Sequence, residues 1–249
     1  MSGPINGAIA GLTVRQSLAR RRWIVVTLLA ALPIVMALAF RAYGDVGDDM
    51  TSSAVDILSS VAFTVVVPIV ALVLASAGFG AEVEDGTVVY LLAKPIPRST
   101  IAVTKLVVTA ACAMALNGVS AAIVGVIMLR GAGSAHLAVA FVVGALLGSA
   151  LYAAIFLALG LITRRGMLVG LVYLVVWEGV LARLFAGTRT FSVRQYMLSV
   201  TDAIAKADAS VFTAQLPHGR AYIMSAVVAV AALAFCINRL CDFEIGRAG

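Results

Sequence analysis

Charge is scarce in this chain. Asp, Glu, Lys and Arg together make up 12% of its 249 residues, against about 25% in an ordinary soluble domain, while hydrophobic residues reach 62%. With a mean hydropathy of +1.07, the chain is built for lipid rather than water as its solvent. Lysine is the rarest of the four charged residues: Lys94, Lys105 and Lys206 are the whole set, preceded by Ala93, Thr104 and Ala205. A phosphate-binding loop of the Gly-x-x-x-x-Gly-Lys-Ser/Thr type needs glycine directly before its lysine, so ATP binding of that kind is excluded. Cys112, Cys236 and Cys241 stand within or at the end of apolar segments, and their spacing fits neither a disulfide framework nor a zinc site. They read as small hydrophobes. His136 and His218 fall in expected outer loops with no cysteine or paired acid nearby, which argues against a metal site. No basic patch is interleaved with aromatics, so nucleic acid is not an expected partner.

What the chain does have is a succession of long apolar runs. At about 20 residues per crossing, six spans and their loops use up the whole length. The expectation is an all-α integral membrane protein, a single transmembrane domain over 1–249 with spans at about 23–40, 54–79, 101–129, 137–162, 167–185 and 221–240. Arg20-Arg21-Arg22, the apolar stretch after them and Met36-Ala37-Leu38-Ala39 also have the make-up of a signal peptide. The long preceding region and the five later spans favour an uncleaved span.

Local signals refine these limits. Thr13 and Gln16 have capping-box spacing, which starts a helix at Val14 that runs on into the first span, with Pro33 as its kink. Upstream, Ile5, Ile9 and Leu12 share one helical face, though glycines weaken that stretch. Asp45, Asp48 and Asp49 lack the later ligands of a calcium loop and read as solvated acids. Lys105 is near enough to a span end to snorkel, Gly131–Ser134 forms a turn, and Gly144, Gly148 and Ala150 permit close helix packing. Between the fifth and sixth spans, Val193, Met197, Val200 and Ile204 recur at helical spacing with Arg194, Asp202 and Lys206 elsewhere, predicting an amphipathic helix.

The most readable surface lies between the second and third spans. Glu82, Glu84 and Asp85 precede Gly86-Thr87, an apolar run ending in Leu91-Leu92, and Lys94-Pro95-Ile96-Pro97-Arg98, after which Ser99 is the expected N-cap of the next helix. Two prolines two residues apart force a turn, and acids before cations suit the dipole of a short helix. This stretch resembles the cytoplasmic loop of the type-2 ABC transporter permeases. The likeness rests on Glu82, Glu84, Asp85, Gly86, Thr87, Leu91, Leu92, Pro95 and Arg98. In that family the segment is a coupling helix that docks on the ATP-binding subunit. The likeness extends to Trp177-Glu178-Gly179 and Phe191–Tyr196, around an outer re-entrant hairpin.

Glu178 is the ionisable residue that stands out inside a span, and such a group is a functional candidate by default. Three readings stand: a proton or substrate site, a polar contact between helices or subunits, and an interfacial acid near the outer end. Arg183, five residues on, is too far round the helix for an ideal pair. With the N-terminus inside, the inner segments hold Arg15, Arg20, Arg21, Arg22, Lys94, Arg98, Lys105, Arg164, Arg165, Arg239 and Arg247. The outer segments hold Arg41, Arg130, Arg183, Arg189, Arg194, Lys206 and Arg220. Eleven cations against seven put both termini in the cytoplasm of a cell inner (plasma) membrane protein.

The resemblance implies the permease subunit of an ABC exporter: non-catalytic itself, paired with a second permease copy, with two ATP-binding subunits below. ATP and Mg belong to those ATPases, and this chain holds no cofactor. A stand-alone proton-coupled carrier using Glu178 and a membrane anchor or signalling partner are the alternatives. The transported substrate is not legible.

Overall fold

The computed structural model describes residues 7–17, 20–43, 50–80, 97–129, 135–163, 165–184, 186–205 and 214–242. The expected docking residues Glu82, Glu84, Asp85, Gly86, Thr87, Leu91, Leu92 and Pro95 lie outside them. So do Asp45, Asp48, Asp49, Ile5, Lys206 and the 131–134 turn.

The longer helices among the described residues are α1 (Gly7–Ser17), α2 (Arg20–Tyr43), α3 (Met50–Phe79), α4 (Arg98–Met128), α5 (Ala135–Ile162), α6 (Gly166–Leu181), α7 (Val193–Ala205) and α8 (His218–Asp242). The molecule is all-α and multi-span: α3, α4, α5 and most of α2 and α8 are long and apolar enough to cross a membrane. α6, at the expected fifth span, is apolar but shorter.

Two expected helix starts are corrected. Pro97, not Ser99, takes the cap position of α4, with φ −55° and ψ 132°, and its carbonyl accepts the Ile101 amide at 3.2 Å. Proline's fixed φ and missing N–H suit the place where a helix begins. Thr13 is interior to α1, its hydroxyl donating to the Ile9 carbonyl at 2.8 Å, because the helix starts upstream at Gly7. α1 packs on α4, burying Ile9 and Thr13 while Leu12 faces out, and packing outweighs the poor helix propensity of Gly7 and Gly11.

α3 and α5 form the centre, with 72% and 61% of their most apolar stretches buried, against 22% for α2 and 17% for α8. α5 touches α3, α4, α6, α7 and α8. Phe63 of α3 meets Phe141 of α5 at a centroid distance of 5.4 Å. Polar pairs fix the depth of neighbouring helices: Ser120 donates to the Ala30 carbonyl at 2.6 Å, and the Asn117 amide donates to the Ser149 hydroxyl at 2.9 Å.

Wide, π-type turns interrupt the regular helix at Ile57–Val66 and Ser76–Gly80 in α3 and at Tyr173–Leu181 in α6. Pro68 follows the first of these, bringing no N–H and crowding the turn before it. Widened turns leave backbone carbonyls open to outside donors. The Gly78 carbonyl accepts Lys105 Nζ at 2.7 Å, with the ammonium 4.6 Å from the centre of the Phe79 ring. Lys105 is therefore 0% exposed, a correction to the expected snorkelling: its charge is met within the protein rather than at the lipid headgroups.

Candidate functional site

The end of α6 and the start of α7 are folded back to back. Leu181 closes α6, and its carbonyl accepts the Thr188 hydroxyl at 2.8 Å. The 3₁₀ turn Ala186–Phe191 then reverses the chain, and Trp177 Nε1 donates to the Phe191 carbonyl at 3.3 Å. This returns Ser192 and Val193 to Glu178. Ser192 Oγ donates to Glu178 Oε2 at 2.5 Å and the Val193 amide donates to Oε1 at 2.9 Å, with Glu178 only 5% exposed. Tyr152 of α5 lies against the same carboxyl group. An aromatic ladder leads to it, Tyr152 on Phe156 at 5.7 Å and Phe156 on Tyr173 at 6.1 Å.

This geometry has a simple electrostatic reason. The first amides of a helix lack internal partners and carry partial positive charge, so a carboxylate is favoured there. Ser192 is the cap residue of α7, its hydroxyl also accepting the Gln195 amide at 3.4 Å. Glu178 thus extends a local cap by a charge from another helix. Of the three readings open for Glu178, the contacts supply a polar link between helices of one chain. Ser192 entered the sequence reading only as part of the Phe191–Tyr196 likeness and not as a helix cap, although Ser192-x-x-Gln195 has capping-box spacing that identifies a helix start.

α7 is the helix expected from the spacing of Val193, Met197, Val200 and Ile204, and it is seated in the bundle: Val193 and every residue from Gln195 to Thr201 are buried. The reason is the face of α5 beneath it. A Cβ at Gly148 would collide with the Met197 side chain, and one at Gly144 with Thr201 and the Phe63 ring. The two glycines therefore form the groove into which α7 seats, whereas Ala150 is half-buried and lines a separate groove shared with α8. Arg194 ties α7 to the widened turns of α3, Nε donating to Thr64 Oγ1 at 2.7 Å and Nη2 to the Ser59 carbonyl at 3.5 Å. Asp202 reaches His218 Nε2 at 3.2 Å and accepts the Ala214 amide at 3.2 Å, so the acid expected to be missing beside His218 comes from α7.

At the other end of the bundle, Arg98 Nη1 donates to the Leu240 carbonyl at 2.5 Å. Of the residues expected to dock an ATPase, Arg98 alone lies among the described ones, and it links the start of α4 to the end of α8. Glu178 is held elsewhere, by the start of α7 and by Tyr152 in the later half of α5. Among the described residues no cluster of His, Cys, Asp and Glu has the make-up of a metal site.

A family model described as ABC-2 family transporter protein matches residues 17–180, from the last residue of α1 to two residues past Glu178. No curated protein matches the chain.

Proposed function

The chain belongs to the ABC-2 family of transporter proteins, and from that premise we propose that it is the membrane-spanning permease subunit of an ATP-driven exporter. Families of this type are non-catalytic permease components that typically pair with ATP-binding cassette subunits. In the proposed assembly two permease copies stand over two ATPases, which hold the ATP and Mg. The six crossings keep both termini in the cytoplasm. The segment 81–96 is the coupling element: Glu82, Glu84, Asp85, Gly86 and Thr87 open it, and Leu91, Leu92 and Pro95 supply its apolar contact and its turn.

The observation that carries this reading is that the family match runs across 81–96 while the described residues on both flanks are fastened to the bundle. Gly78 is held by Lys105, and Arg98 holds Leu240. Force applied to the segment is thereby passed to α3, α4 and α8 together. Such a segment drives transport only if its contacts differ between the ATP-bound and released states.

The test is capture of the ATPase from membranes containing equal amounts of permease. Exposed ion pairs contribute roughly 0–1 kcal/mol, whereas burying a leucine contributes roughly 1.5–3 kcal/mol. Leu91→Asp combined with Leu92→Asp is expected to abolish capture without loss of membrane insertion, and Glu84→Gln to weaken it less. Full retention of the ATPase by the double variant removes the coupling role from this segment.

A further inference from the structure

We propose that the cleft between the start of α2, the later part of α3 and the start of α6 binds one anionic phospholipid. Its phosphate lies between the guanidinium groups of Arg22 and Arg165, and an acyl chain runs along Leu72, Val73, Leu168 and Leu171. The cleft has a volume of about 330 Å³ and is lined by these residues. Two other grooves of similar size, one between α2 and α4 and one between α4, α5 and α8, are lined without a charged side chain. Among the described residues neither Arg22 nor Arg165 has a carboxylate within ion-pair distance.

The order of the lining residues along the helices selects a lipid over a soluble anion. Arg22 and Arg165 stand at the starts of α2 and α6, at the Lys105 end of the bundle. Leu168 and Leu171 lie one and two turns deeper along α6, and Val73 and Leu72 lie about one turn deeper than Ser76 on α3. Cations at headgroup level over an apolar wall match a molecule that is anionic at one end and hydrocarbon at the other. A free phosphate has no use for that wall. The cation-rich end is also the one expected to face the leaflet that carries acidic lipid. The proposal does not depend on the transport reading.

Native mass spectrometry of the purified full chain in detergent tests it, using phosphatidylglycerol and phosphatidylcholine with identical acyl chains. The first phosphatidylglycerol is expected to bind about tenfold more tightly than phosphatidylcholine, since its headgroup keeps a net negative charge between the two guanidinium groups whereas the choline ammonium offsets that charge and is repelled by them. Arg22→Gln combined with Arg165→Gln is expected to erase that preference. Arg41→Gln, whose side chain bonds the Ile127 carbonyl at the opposite end, is expected to keep it. If the double variant fails to fold, Arg165→Gln alone, at an exposed residue, is expected to cut the preference to about threefold. Equal affinity for the two lipids, or an undiminished preference in the arginine variants, overturns the proposal. So does displacement of the bound lipid by millimolar glycerol phosphate, which would make the site one for a soluble anion.

Discussion

Replacing Glu178 by glutamine keeps an acceptor for the Val193 amide and offers Ser192 a donor, to which the hydroxyl can turn its lone pairs. Leucine keeps neither and takes the acceptor from the Ser192 hydroxyl, the Val193 amide and the Tyr152 hydroxyl, at about 1–3 kcal/mol for each buried donor left unpaired. Glu178→Gln is therefore expected to lower the midpoint of thermal unfolding in detergent only slightly, and Glu178→Leu to lower it markedly and reduce assembly. In an assembled transporter Glu178→Gln should also keep most transport-linked ATPase activity. Complete loss of that activity with assembly intact would assign Glu178 to proton transfer. A lone acid within an apolar run was enough to single out Glu178, but not to find Ser192 and Val193, whose approach depends on the reversal at Ala186–Phe191. Lys105 was misread for a related reason. Its position near a helix end was legible, whereas the open Gly78 carbonyl and the Phe79 ring belong to a widened turn that no hydropathy pattern announces.

Among elements, the ends of the five long apolar helices fall within a few residues of the expected bounds, because an apolar run long enough for a bilayer is read directly from hydropathy. α7 was legible as a helix and not in its surroundings. Its apolar stripe matches an interfacial helix and a buried one equally well, and the choice is made by Gly144 and Gly148 on another helix. In α5 these glycines let the backbones approach, with side chains of α7 filling the space. Gly148→Ala places a methyl against Met197, whose Cγ would stand 2.8 Å away, and overpacking of this kind costs about 1–3 kcal/mol. The substitution is expected to destabilise the chain, and Met197→Ala in the same molecule to recover part of the loss. A double-mutant cycle on thermal unfolding measures this coupling. Simple additivity of the two substitutions would mean that α7 does not seat in the α5 groove.

For the whole molecule, the number of crossings turns on α6. Gly166–Leu181 is short for a span, and its first half packs on α3 and α5. Arg165 begins near Ser76 in the cleft with α3, while the segment after Glu178 brings Arg194 to Ser59 and Thr64. Ser59 and Gly78 are separated by at most about 28 Å, the α-helical rise of 1.5 Å per residue being shortened by the widened turns between them. Cation counting favours the Gly78 end as the inner one. Single cysteines at Pro97 and Gly187, both exposed, test the topology in a background with Cys112, Cys236 and Cys241 replaced by alanine. A side chain at Gly187 meets nothing within 4 Å, so the reporter itself should not disturb the fold. With an impermeant thiol reagent, Pro97→Cys is expected to label only from the cytoplasmic face and Gly187→Cys only from the opposite one. Labelling of both from one side would leave five crossings, with α6 and α7 forming a hairpin that returns to the side it entered from.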